Sequence, residues 1–201
     1  MSSYNRAIKK YARSKLGLPD YDKRGVAHDI RRMKRQINLN KGELKAYHFS
    51  SNATSTTNGT ISYVDLTSIA QGDDDDDRTG RKIRVVGIDL RIHNGSSALD
   101  SYIIKSLEDS VPTYGDFEVA RGGHLNQANR HEKKELAYLR EYRSTTLNLM
   151  YNRRWKQGIH VYYNGTAANN GVKNRLFLVF KNTTGATITT EYTGVLYFYD
   201  N

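Results

Sequence analysis

Lys82-Ile83-Arg84-Val85-Val86-Gly87-Ile88-Asp89-Leu90-Arg91-Ile92-His93 reads as one long strand that changes phase part-way. Val86, Ile88, Leu90 and Ile92 alternate with polar residues, the pattern of a strand buried on one face. Ile83 and Val85 alternate in the opposite phase, so a bulge is expected near Gly87. Outward from this stretch, further strands are expected at Leu44–Ser50, Thr60–Ile69, Ser101–Leu107, Ser144–Tyr151, Gly158–Tyr163, Asn174–Asn182 and Thr187–Asp200. Asn-Gly turn signals recur at Asn58-Gly59, Asn94-Gly95 and Asn164-Gly165. Leu176–Phe180 is apolar throughout, which suits a strand covered on both faces or one covered by a neighbouring subunit. Residues 129–143 read as a short helix around Leu136 and Leu139. Eight strands and few helices in about 160 residues predict an all-β, two-sheet sandwich or jelly roll.

The charge is distributed unevenly. Residues 1–41 hold twelve Lys/Arg against three Asp, a net of +9 in a chain whose total is +10. The cations are Arg6, Lys9, Lys10, Arg13, Lys15, Lys23, Arg24, Arg31, Arg32, Lys34, Arg35 and Lys41. Residues 5–16 and 28–37 have helical spacing. Arg6, Lys9, Lys10 and Arg13 form a stripe opposite Ala7, Ile8, Tyr11 and Ala12, and Ile30, Met33 and Ile37 share an apolar face. We therefore expect a basic, partly helical arm over 1–43 and a near-neutral body over 44–201. Cations at this density repel one another unless a polyanion neutralises them, and sequence-independent phosphate binding is the expected role.

Other classes are disfavoured. There is no cysteine, so disulfides and thiolate metal sites are excluded. No apolar run reaches membrane-spanning length and no signal peptide is evident, so a soluble, non-secreted protein is expected and the five Asn-x-Ser/Thr sequons are read as unglycosylated. No phosphate-cradling glycine loop, nucleophile elbow or His-Glu-x-x-His motif is present, and the six histidines are scattered. The chain is read as not an enzyme, with no required cofactor.

Two further clusters each have two readings. Asp73–Asp77 is a run of five carboxylates before Arg78-Thr79-Gly80. Arg78 stands where an EF-hand needs glycine, which leaves a solvated acidic turn or a calcium site shared between subunits. Arg153-Arg154-Trp155-Lys156 surrounds the chain's single tryptophan with cations. It is either a secondary nucleic-acid contact that stacks a base or a tryptophan in the core or at a sheet edge.

Together these residues carry a resemblance. A basic arm leads to Gln71-Gly72-Asp73-Asp74, then Arg78-Thr79-Gly80 and the strand with Ile83-Arg84-Val85. Later come Tyr163-Asn164-Gly165, Ala168-Asn169-Asn170-Gly171 and the apolar Leu176–Phe180. This pattern, over roughly residues 28–93 and 155–200, resembles the coat protein of satellite tobacco necrosis virus. It also resembles the capsid proteins of small circular single-stranded DNA viruses that encode a replication initiator. The resemblance implies an eight-stranded antiparallel jelly roll, about sixty copies of which close a T=1 icosahedral shell with the arm inward. The implied partners are further copies of the chain and a single-stranded viral genome, DNA favoured over RNA. It implies structural calcium at subunit contacts, with Asp73 near one three-fold site and Thr79, Asp200 and Glu43 near another, where Lys82 replaces the usual amide. It places the protein in the virion. Arg31-Arg32-Met33-Lys34-Arg35 is compatible with a nuclear localisation signal and entry to the host nucleus during assembly. The alternative is a non-viral nucleic-acid-binding β-domain with a basic tail. Residues 100–150 carry no recognisable motif.

Overall fold

The computed structural model describes residues 42–72, 74, 76–94, 99–119, 123–139, 147–168, 171–183 and 186–200. The chain divides into two units, Met1–Lys41 and Gly42–Asn201, and the description that follows concerns the second. The helical segments expected at 5–16 and 28–37 lie outside the described residues.

Nine strands form two antiparallel sheets: β1 (Leu44–Thr56), β2 (Thr60–Asp65), β3 (Lys82–Asn94), β4 (Leu99–Ser106), β5 (Lys133–Leu139), β6 (Leu147–Tyr163), β7 (Gly171–Lys173), β8 (Leu176–Asn182) and β9 (Ile188–Asp200). One sheet runs β1-β9-β3-β6-β7 and the other β2-β8-β4-β5. With the three-residue β7 set aside, first pairs with last, second with second-last, third with third-last, and the middle two with each other. That nesting is a long hairpin rolled onto itself, the connectivity of a jelly roll. The protein is an all-β jelly roll.

The sheets close over one core because strand alternation presents one apolar face from each. Ile83, Val85, Ile88, Leu90 and Ile92 of β3 meet Leu176, Leu178 and Phe180 of β8, with Leu196 and Phe198 of β9 beside them, all buried. The phase change in β3 is a bulge at Val86. Val85 pairs with Phe198 and Gly87 with Tyr197, leaving Val86 opposite nothing.

Three expectations are corrected. The segments Ser144–Tyr151 and Gly158–Tyr163 belong to one strand, β6, which holds a four-residue bulge from Trp155 to Gly158 opposite Val86. The helix expected at 129–143 is instead strand β5, paired with β4. Ile103 pairs with Ala137 and Ile104 with Glu135, so Leu136 bulges. The bulge lets Leu136 and Leu139, three residues apart, both pack on the core and imitates helical spacing. Finally, β7 adds a short edge strand that the sequence reading did not contain.

β8 is buried along its whole length, and its second face is covered by this chain rather than by a neighbour. Phe117 and Leu125, bridged to each other in the connection from β4 to β5, pack on Tyr102, Ile104, Phe177 and Val179. Tyr102 Oη donates to the Gly123 carbonyl at 2.8 Å. Within the segment that lacks a recognisable motif, the connection from β4 to β5 is the lid on the four-stranded sheet.

Candidate nucleic-acid interface

The other face of the five-stranded sheet has no such cover from the described connections. Register places its outward residues in rows. Lys82 of β3 pairs with Tyr162 of β6; Arg84 lies between Tyr199 of β9 and His160 of β6; Gly87 lies between Tyr197 and Arg154. In each row a cation sits over a tyrosine ring: Lys82 over Tyr162 at 5.5 Å, Arg84 over Tyr199 at 4.7 Å and Arg154 over Tyr197 at 4.5 Å.

Two glycines make this packing possible. A Cβ on Gly87 would stand 2.5 Å from Arg154 Cδ; its absence lets the Arg154 side chain cross β3 to reach Tyr197. Gly158, at φ +69°, closes the β6 bulge in a conformation that other residues rarely adopt. A Cβ there would lie 2.6 Å from Arg84 Cγ. Arg154 is then fixed by two hydrogen bonds to Asp89, at 2.8 and 3.0 Å. That contact, with a hydrogen bond from Tyr197, holds the Asp89 carboxyl below its ordinary value. Burial first, and then the charges of Lys82 and Arg84, lower the pKa of the His160 imidazole.

Of the cluster Arg153, Arg154, Trp155 and Lys156, Arg154 lies in this array, Arg153 and Lys156 are exposed, and Trp155 is half-buried against the core. The arm cations from Arg6 to Arg35 lie outside the described residues. Lys82, Arg84, Tyr162, Tyr197 and Tyr199 were absent from the candidates drawn from sequence. Their signal is the period-two spacing of Lys82-x-Arg84 and Tyr197-x-Tyr199, which means something only once β3 and β9 are neighbours.

The acidic loop is built around a cation of its own chain. Lys45, buried on β1, donates from Nζ to the carbonyls of Asp74 and Asp77 at 3.1 and 2.9 Å. Asp74 and Asp76 are exposed, while Asp73 and Asp75 lie outside the described residues. Thr79 and Asp200 do come together. The Thr79 backbone N–H and hydroxyl both donate to Asp200 Oδ2, the hydroxyl at 2.6 Å, and Gly80 N–H donates to Oδ1 at 3.3 Å. Glu43 meets Asp200 through the backbone, its carbonyl accepting at 3.4 Å. Thus the described residues at this end of one copy offer a buried carboxylate that already accepts three bonds. Among the described residues no three His, Asp or Glu side chains gather as a metal site. A calcium ion here would need most of its oxygens from elsewhere.

No protein-family profile matches the chain, and no curated protein is detectably similar to it. Among solved structures it is similar to the 60-mer BFDV capsid protein, at 9% identity over 80% of this chain and 95% of that one, with a TM-score of 0.33. It is also similar to the infectious bursal disease virus VP2 subviral particle, at 12% identity over 81% of this chain and 42% of that one, with a TM-score of 0.17.

Proposed function

We propose that the protein is a viral capsid protein that self-assembles into a closed shell and packages a small single-stranded genome through its basic N-terminal arm. The observation that carries this reading is the union of a jelly-roll body of almost no net charge with an arm of net +9. A neutral body lets copies pack side by side with little repulsion, while the arm's charge is neutralised by the genome. On the order of sixty copies in a T=1 arrangement would bring about 540 arm charges inside, enough for much of a genome of roughly a thousand nucleotides. DNA is favoured over RNA on the motif resemblance alone. The role is structural rather than catalytic, in the virion, and the Arg31–Arg35 cluster would serve nuclear entry during assembly. Calcium would bind at contacts between copies, with Asp73 at one site and Thr79 and Asp200 at another, each completed by oxygens of a neighbour.

Deleting residues 1–37 tests the packaging role. The truncated chain should fold, and its shells should be empty or fail to close. Truncated particles with an undiminished nucleic-acid load would overturn it. A non-viral β-domain with a basic tail would instead bind nucleic acid as a monomer or dimer.

A further inference from the structure

The outer face of the five-stranded sheet is not accounted for by an arm that binds phosphate. Three cation–tyrosine pairs lie in successive rows on it, Lys82–Tyr162, Arg84–Tyr199 and Arg154–Tyr197. Tyr162 is 37% exposed, and Tyr197 and Tyr199 are half-buried. The nearby acid, Asp89, is taken up by Arg154. Lys82 has no ion-pair partner among the described residues, and Arg154 is exposed. Lys173, in register with Tyr162, shares a cavity with Glu108 and Asp109 and is left out of the array.

We propose that this half of the sheet face is a second binding surface for single-stranded nucleic acid, with bases stacked on Tyr162, Tyr197 and Tyr199 and phosphates held by Lys82 and Arg154, while the buried Arg84 supports the Tyr199 ring from within the sheet. The spacing favours an unstacked strand. Same-face residues along a β-strand repeat at about 7 Å, twice the roughly 3.4 Å rise per nucleotide at which the bases of a stacked strand follow one another. A strand matched to the rows must open its bases, and open bases are what aromatic platforms bind. A duplex keeps its bases buried and cannot use the tyrosines. This surface is independent of the arm in sequence, although it rests on the reading that the protein binds nucleic acid.

Photo-crosslinking of the full chain to a mixed-sequence 20-mer carrying 5-iodouracil, followed by peptide mapping, tests it. We expect crosslinks at Tyr162 and at Tyr197 or Tyr199 in addition to any within residues 1–41. Lys82→Ser with Tyr162→Ser should lower single-strand affinity roughly five-fold or more, leave thermal unfolding near wild type, and change duplex affinity less. Crosslinks confined to residues 1–41 would overturn the sheet surface and leave the arm standing. Absence of crosslinks together with absence of salt-sensitive binding would overturn both.

Discussion

The Arg78 guanidinium lies 3.9 Å from the ring centroid of Tyr163, so the end of the acidic loop is locked onto β6. Arg78 is fully buried. Nε donates to the Ile69 carbonyl at 2.9 Å, one Nη donates to Gly80, and the other donates to Gly165 at 2.7 Å, closing two loops at once. A planar fork with donors on three sides does this where an ammonium cannot.

Arg78→Lys and Arg78→Ala should therefore both destabilise the body, by roughly 3 kcal/mol or more, because buried carbonyls lose their donors. Tyr163→Phe, which keeps the ring but removes the hydroxyl bond to the Thr67 carbonyl at 2.8 Å, should cost about 1–3 kcal/mol. Urea denaturation monitored by tryptophan fluorescence measures both. An Arg78→Lys body as stable as wild type would show that the clamp is unimportant.

The lid over the four-stranded sheet gives a second expectation. Phe117 packs 4.8 Å from Tyr102, centroid to centroid. Phe117→Ala should cost about 3–5 kcal/mol and raise binding of a hydrophobic dye by exposing Phe177 and Val179. A surface substitution on the same connection, Gln127→Ala, should do neither.

Acid should act through Asp89. Its carboxyl is held below the ordinary value, chiefly by the hydrogen bonds from Arg154. The unfolded chain therefore binds this proton more tightly, and stability from the pair is full above the unfolded value of about 3.9. It is lost as pH falls through the folded value. Arg154→Met should return the Asp89 titration, followed by carboxyl NMR, towards the ordinary range and flatten the pH dependence of unfolding in acid. An unchanged Asp89 titration would contradict the pairing.

These relationships differ in how far the sequence disclosed them. The Gly87 bulge was legible because Ile83/Val85 and Ile88/Leu90/Ile92 are out of phase within one strand. The apolar run of β8 was legible as a doubly covered strand, but its cover was not, because Phe117 and Leu125 are isolated apolar residues in a polar connection. Leu136 and Leu139 misled for a physical reason, since one bulged residue gives a strand the spacing of a helix. The cation–tyrosine rows combine β3, β6 and β9, which are far apart in sequence. The reach of Arg154 further depends on a missing Cβ at Gly87.

The acidic loop supplies a metal-dependent prediction. If Asp73–Asp77 of neighbouring copies meet in the assembled particle, chelator at neutral or higher pH should swell or loosen it, and restored calcium should reverse the change. Asp73→Asn should reduce the response. Particles indifferent to chelator from about pH 6 to 9 would leave the loop as a solvated turn before β3, tied to Lys45 through its backbone carbonyls.

Electron microscopy of the purified full-length chain, with sedimentation and the absorbance ratio of the same fraction, tests the central claim most directly. The account predicts closed shells of one size, about sixty copies each, that carry nuclease-protected nucleic acid. A folded protein that stays monomeric or dimeric in low and moderate salt, with and without added single strands, would contradict it.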